Sequence, residues 1–177
     1  MKTLNREEAG AEFKRFWSEL KTEWFKVEVL QNYSGEDQGE SLKSWFVGDK
    51  NKSIELLQVR SRSIDWAEKN KDKEFKKIRI HIVEEPYTEY LQWEIEHYKN
   101  INIPIVKEDV YLLNRREAEN LLLPDGDFMI FDDKKVVRNY YTPEGRMYKA
   151  DFYDETDDIS EFLRLKRVLL ASNLIKL

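Results

Sequence analysis

Glu94 is the residue whose type least suits its position. At about 100° per residue, Tyr87, Tyr90, Leu91, Ile95, Tyr98 and Ile101 share one apolar stripe of a helix read over 86–101, and Glu94 sits near its centre. A carboxylate there must be hydrogen-bonded, ion-paired or protonated. Held protonated in an apolar pocket, it would suit general acid–base work. Held structurally, it would need Arg79, Arg138, a tyrosine hydroxyl or a backbone N–H. Both readings predict a mostly buried Glu94 with a cationic or hydroxyl partner.

Other acids invite similar tests. Asp125, Gly126 and Asp127 precede a strand of four residues, and Asp132 and Asp133 follow it. A hard cation would want such oxygens. Asp and Gly are equally the normal punctuation of turns, and the spacing lacks the EF-hand pattern, so no metal is expected there. The acidic run 154–158 precedes a helix, whose dipole it favours. Arg79 and His81 project from the strand face opposite Ile78, Ile80 and Ile82. If helices cover only one face, these two lie on an open surface. With Arg138, Tyr140 and Tyr148 they would suit an anionic or planar ligand. Trp93 lies about 120° from the Glu94 stripe, with His97 beside it. Trp24 closes the first helix. Both tryptophans suit an interface or a second layer of the domain.

What is missing narrows the chemistry further. The chain has no cysteine, which removes disulfides, thiolate metal sites and cysteine nucleophiles. Its two histidines, His81 and His97, fall on different elements and in no HExxH or HxK spacing, so histidine-held metal is not expected. None of the six glycines builds a phosphate loop or a dinucleotide fingerprint. No GxSxG elbow occurs. Carboxylates remain the main route to catalysis, and no cofactor is implied. A net charge of −5 with interspersed signs argues against direct nucleic-acid binding. No apolar run approaches the roughly 18 residues of a membrane span. The first eight residues lack the apolar segment of a secretory signal, so a cytoplasmic location is expected.

These residues need elements to position them. Asn5 and Glu8 resemble a capping box opening a helix over 6–21. Residues 25–30 alternate as a strand, and 33–39 form a polar loop. Leu42, Trp45 and Phe46 mark a short helix ending near Gly48. Ser53 suits the cap of a longer helix carrying Ile54, Leu57, Ile64 and Ala67. Strand 77–83, helix 86–101 and strand 110–113 form a crossover unit, so the two strands are expected to be parallel neighbours. A short helix over 115–122 stops at Pro124. Strands 128–131, 135–141 and 146–153 form a three-stranded antiparallel meander, with Thr142-Pro143-Glu144-Gly145 as one turn. Asp158 and Glu161 suggest a cap for a last helix running through Leu174. The expected fold is one α+β domain over 1–177. Its sheet is mixed, mainly antiparallel and of about five strands, with helices on at least one face.

Three stretches together carry a resemblance. They are Glu85-Pro86-Tyr87-Thr88-Glu89-Tyr90-Leu91-Gln92-Trp93-Glu94, the segment Leu123 to Asp133, and Gly145-Arg146 leading into a strand. They resemble a bacterial domain-of-unknown-function family, common in high-GC Gram-positive genomes, with E-P-x-S-x-Y-x-x-[WF]-E and L-P-x-x-D-F-x-x-F-D motifs. Trp24 to Glu28 and Tyr33 loosely match its early segment. Thr88 stands where Ser is usual, and Met129 where Trp is common. The resemblance implies encoding beside helix-turn-helix regulators, hence partnership with a DNA-binding protein. By motif match it singles out Glu85, Tyr90, Glu94, Asp127, Phe131 and Asp132.

The expected function is a non-catalytic interaction or sensing module, a partner of a transcriptional regulator. One alternative is a carboxylate-dependent hydrolase or transferase using Glu94 with Asp127 or Asp132. Another is a small-ligand receptor. Ligand or partner contacts would draw on Arg79, His81, Glu85, Tyr90, Trp93, Glu94, Phe131 and Arg138.

Overall fold

Alternation along the chain builds the sheet. In the computed structural model, residues 1–34, 39–60, 64, 67–68, 70–71 and 73–177 are described. The expected loop over 33–39, and the expected helix beyond Arg60, lie partly outside them. The elements are β1 (Lys2–Asn5), α1 (Arg6–Glu19), β2 (Glu23–Glu28), α2 (Glu40–Phe46), α3 (Lys50–Arg60) and β3 (Lys76–Val83). Then come α4 (Glu89–His97), a π-helix (Tyr98–Val106), β4 (Asp109–Asn114), α5 (Arg115–Ala118), β5 (Phe128–Phe131), β6 (Lys135–Tyr141), β7 (Met147–Tyr153), α6 (Ser160–Leu170) and β8 (Ile175–Lys176).

One mixed sheet of eight strands runs β1-β7-β6-β5-β2-β3-β4-β8. β3 is parallel to both β2 and β4, and the other pairs are antiparallel. The expected crossover and meander are both present. The sheet exceeds five strands: six internal strands are flanked by two short terminal ones that close its edges. Four residues of β1 and two of β8 are too few to show a period. The last helix accordingly ends at Leu170, with Ala171 as its C-cap, and the chain returns as β8.

Helices cover both faces. On one face Phe25, Val27, Ile78, Ile80, Ile82, Phe128 and Ile130 pack with Leu165 and Leu169 of α6. The other face is divided. At its β1 end Phe16 of α1 and its C-cap Leu20 pack with Trp24, Met129, Phe131 and Phe152. At its β4 end Leu91 and Ile95 of α4 cover Val83 and Leu112. Arg79 and His81 are therefore buried beneath helices rather than on an open surface.

Local caps fix the elements that matter. Asn5 accepts from the N–H groups of Glu7 and Glu8, and Glu8 accepts from Asn5 N–H, completing the capping box. α4 starts at Glu89 rather than at residue 86, and Thr88 caps it, accepting from Leu91 N–H at 3.1 Å. Ser53 lies buried inside α3 rather than at its start. Asp158 accepts from Ser160 N–H, but Glu161 pairs with Arg164, so that capping box is incomplete. Among the described residues, no helix is long and apolar enough to cross a membrane.

Candidate functional site

The divided face places a buried polar cluster beside an aromatic one. In the parallel β2–β3 pair, Lys26 lies opposite Arg79 and Glu28 opposite His81. Alternation turns all four toward α4. Glu28 Oε2 accepts from Arg79 Nη1 and from the Tyr98 hydroxyl, both at 2.7 Å, and Oε1 accepts from Lys26. Arg79 also donates Nε to Glu108 at 2.8 Å, and its guanidinium lies over the Trp24 and Tyr98 rings. Burial alone would raise the Glu28 carboxyl. Arg79, Lys26 and His81 outweigh it and hold the group well below the usual range.

His81 is fully buried and held from both ends. Nε2 lies 2.8 Å from the Leu30 carbonyl, which can only accept, so Nε2 carries the ring hydrogen. Burial lowers the ring's affinity for a second proton, which leaves a lone pair on Nδ1. That atom faces the Tyr98 hydroxyl at 3.0 Å and Glu94 Oε2 at 3.7 Å. Tyr98 has one proton for two acceptors, and the charged Glu28 is nearer.

Glu94 is buried as expected, but its partner is not. Oε2 has no hydrogen bond among the described residues, and His81, at 3.7 Å, is the nearest cationic candidate. Trp24 Nε1, Asn102 Oδ1 and Asn139 Oδ1 share that condition, so Glu94 is the only ionisable group among them. Burial raises its carboxyl well above the ordinary value, and the nearby Glu28 charge adds to this. Neither Arg79 nor Arg138 supplies a hydrogen bond. Arg138 pairs opposite Phe128 on the α6 face, donates to the Asp125 carbonyl and lies over Tyr140.

Asp127 belongs to the same interior, and Asp132 does not. Asp127 is fully buried and accepts from Val29 N–H, Tyr33 and Tyr141 at 2.7–2.9 Å. Burial pushes it up to about 6, opposed by Lys26 and those donors. Gly126 before it has φ +90°, and a Cβ there would meet the Asn139 carbonyl oxygen at 2.0 Å. Only glycine delivers Asp127 at this place. Asp132 sits at the far end of β5, in a left-handed turn with Asp133. It accepts from three successive backbone N–H groups, Lys21 to Glu23, and from the Thr22 hydroxyl. Those donors outweigh its burial and lower its pKa. It clamps α1 to β2.

The remaining positions divide likewise. Tyr90 packs its ring against Tyr33 and Trp93 beside the cluster. Trp93 contacts the domain's second layer, donating to Ser41 at 2.9 Å. Phe131 is core beneath α1, and Glu85 is exposed. Sequence reading missed Lys26, Glu28, Glu108, Tyr33 and Tyr141 as members of this interior. A signal existed: the polar face of β2 carries Lys26 and Glu28, complementary to Arg79 and His81 on β3.

Three potential ligand atoms converge here. One each from Glu28, His81 and Glu94 lie within 4.8 Å of one another. Fold and cluster define a mixed-sheet α+β domain with charge buried under a helix. The chain belongs to the family described as Domain of unknown function (DUF6879), which matches residues 11–173. No curated protein matches it.

Proposed function

We propose that the protein is a non-catalytic sensing module that takes a small ligand at the Glu28–His81–Glu94 cluster. The observation that carries this reading is Glu94 Oε2, a buried carboxyl oxygen without a hydrogen bond. Burying such an atom unpaired costs on the order of 1–3 kcal/mol. A structural carboxylate would have recruited a donor, as Asp127 and Asp132 do. Perturbed groups of this kind gather at functional sites. The Glu94 side chain keeps 10% exposure, although Oε2 itself is buried.

The carboxylate-enzyme alternative is weaker. It paired Glu94 with Asp127 or Asp132; Asp127 is fully engaged by three donors, and Asp132 is remote in the fold. The output we assign is contact with a helix-turn-helix regulator, supported by the family resemblance and by the scarcity of catalytic motifs.

Two measurements test the reading. Native mass spectrometry of the chain from its source cell should retain a small ligand, which Glu94→Gln loses while staying folded. Affinity capture should recover a DNA-binding protein in stoichiometric amount. A wild-type chain that carries no ligand, and that shows no Glu94-dependent melting shift with any compound offered, would defeat the ligand site.

A further inference from the structure

One atom in the cluster lacks what its chemistry demands, and a ring nitrogen faces it. His81 Nε2 is committed to the Leu30 carbonyl, and its Nδ1 lies 3.0 Å from the Tyr98 hydroxyl. Glu94 Oε2 has no donor. They face each other at 3.7 Å, too far for a direct hydrogen bond. Two ligands bound at about 2.1 Å with a tetrahedral angle stand roughly 3.4 Å apart. The observed gap thus needs only a few tenths of an ångström of closure to hold a cation between them. Glu28 supplies a third atom within 4.8 Å of both.

The surroundings suit such an ion. A metal-bound imidazole characteristically donates its other N–H to a carbonyl or carboxylate, as His81 does to Leu30. Glu28 is oriented by Arg79, Lys26 and Tyr98. The interior holds the carboxylates Glu28, Glu94, Glu108 and Asp127 against the cations Lys26 and Arg79, with Lys77 at the margin turned to the Val106 carbonyl. Glu28 and Glu108 are matched by Lys26 and Arg79, and a divalent ion would let Glu94 give up its proton. One imidazole nitrogen with two carboxylate oxygens selects zinc, manganese or iron(II) over calcium and magnesium, which prefer all-oxygen shells.

We infer that Glu28, His81 and Glu94 bind one divalent first-row transition metal, with Nδ1 of His81 as the nitrogen ligand. The inference rests on reading the cluster as a ligand site and names the class of ligand.

Chelator-stripped full-length chain is titrated with Zn²⁺ by calorimetry and with Co²⁺ by visible absorption. The expected result is one ion per chain, Co²⁺ bands in the visible, and a loss of roughly tenfold or more in affinity for Glu94→Gln. Exposed Glu144→Gln should bind like wild type. Nitrogen NMR of the wild type guards against a variant that fails to fold. With only two histidines, one imidazole should report Nδ1 ligation on adding Zn²⁺. Folded wild type that binds no ion, affinity unchanged by Glu94→Gln, or silence from both imidazoles overturns the site. A chain that refuses metal yet shows a Glu94-dependent shift with an organic ligand loses this inference and keeps the sensing reading. One that does neither loses both.

Discussion

One face of a single sheet carries two unlike interiors. At the β1 end, Phe16 meets Phe131 and Phe152 edge-to-face, and Trp17 packs on Trp24 and Phe131. At the β3 end, the same pleat buries Glu28, Arg79, His81 and Asp127 under α4, with Lys26 half-buried beside them. The aromatic end needs only shape, and its rings gain from burial and quadrupole geometry. The charged end must repay desolvation with ideal partners, and a buried ion pair is seldom the more stabilising choice. Lys135 at the aromatic end, by contrast, is paired with Glu19 and Asp154 near the surface. The aromatic end adds to the hydrophobic core that holds the fold together. The charged end, with one member left unpaired, is where a function would be built.

The comparison breaks most easily at its strongest members. Arg79→Ala strands Glu108 and takes one of the two cations from Glu28, and should cost about 3–5 kcal/mol in urea denaturation. Phe16→Ala should cost a similar 3–5 kcal/mol through its cavity. The two losses should differ in origin: replacing Arg79 together with both acids by apolar residues should recover much of the stability, and failure to recover would mean that the network is not the expensive element claimed here.

Acidity separates the ends next. Asp127 rises from 3.8 to about 6 on folding, so the native state holds a proton that the unfolded chain releases. That contribution is present below pH 3.8 and lost as pH rises through 6. Relative to Asp127→Asn, wild type should lose about 2 kcal/mol between pH 4 and 7. His97 runs the other way. Burial and Arg79 lower it to about 4, so it contributes above pH 6.5 and the contribution is lost as pH falls toward 4. Unfolding measured across pH 4–7 should show opposite slopes for Asp127→Asn and His97→Gln relative to wild type. Parallel slopes would contradict the burial of one of them. Phe16→Ala should leave the pH profile of stability unchanged.

Two carboxylates sharpen the contrast at smaller scale. Asp132→Ala removes an acceptor for three backbone N–H groups and should cost about 1–2 kcal/mol. Glu94→Met removes an acid with an unpaired oxygen and should leave thermal stability within about 1 kcal/mol, or raise it. A fall of several kcal/mol for Glu94→Met would make Glu94 structural after all.

Much of the scaffold is legible because its rules are local. The isoleucines of β3, the Asn5–Glu8 box, the meander turns and the Glu94 stripe follow from periods and caps that any short window displays. β1 and β8 are not legible, because strands so short exist only by pairing with β7 and β4. The burial of Arg79 and His81 depends on a second helical layer that no strand period announces.

The sequence by itself determined that Glu94 would be buried, that the β3 and β4 strands would run parallel, and that carboxylates would be the main route to any catalysis. Tertiary structure decided which of them meet. Register between β2 and β3, across a separation of about fifty residues, brings Glu28 beside His81, and the packing of α4 sets Glu94 against both. Side-chain period is a property of neighbours along the chain. Register and layer packing are settled only when distant segments exclude water together, and there the unpaired oxygen of Glu94 acquires its meaning.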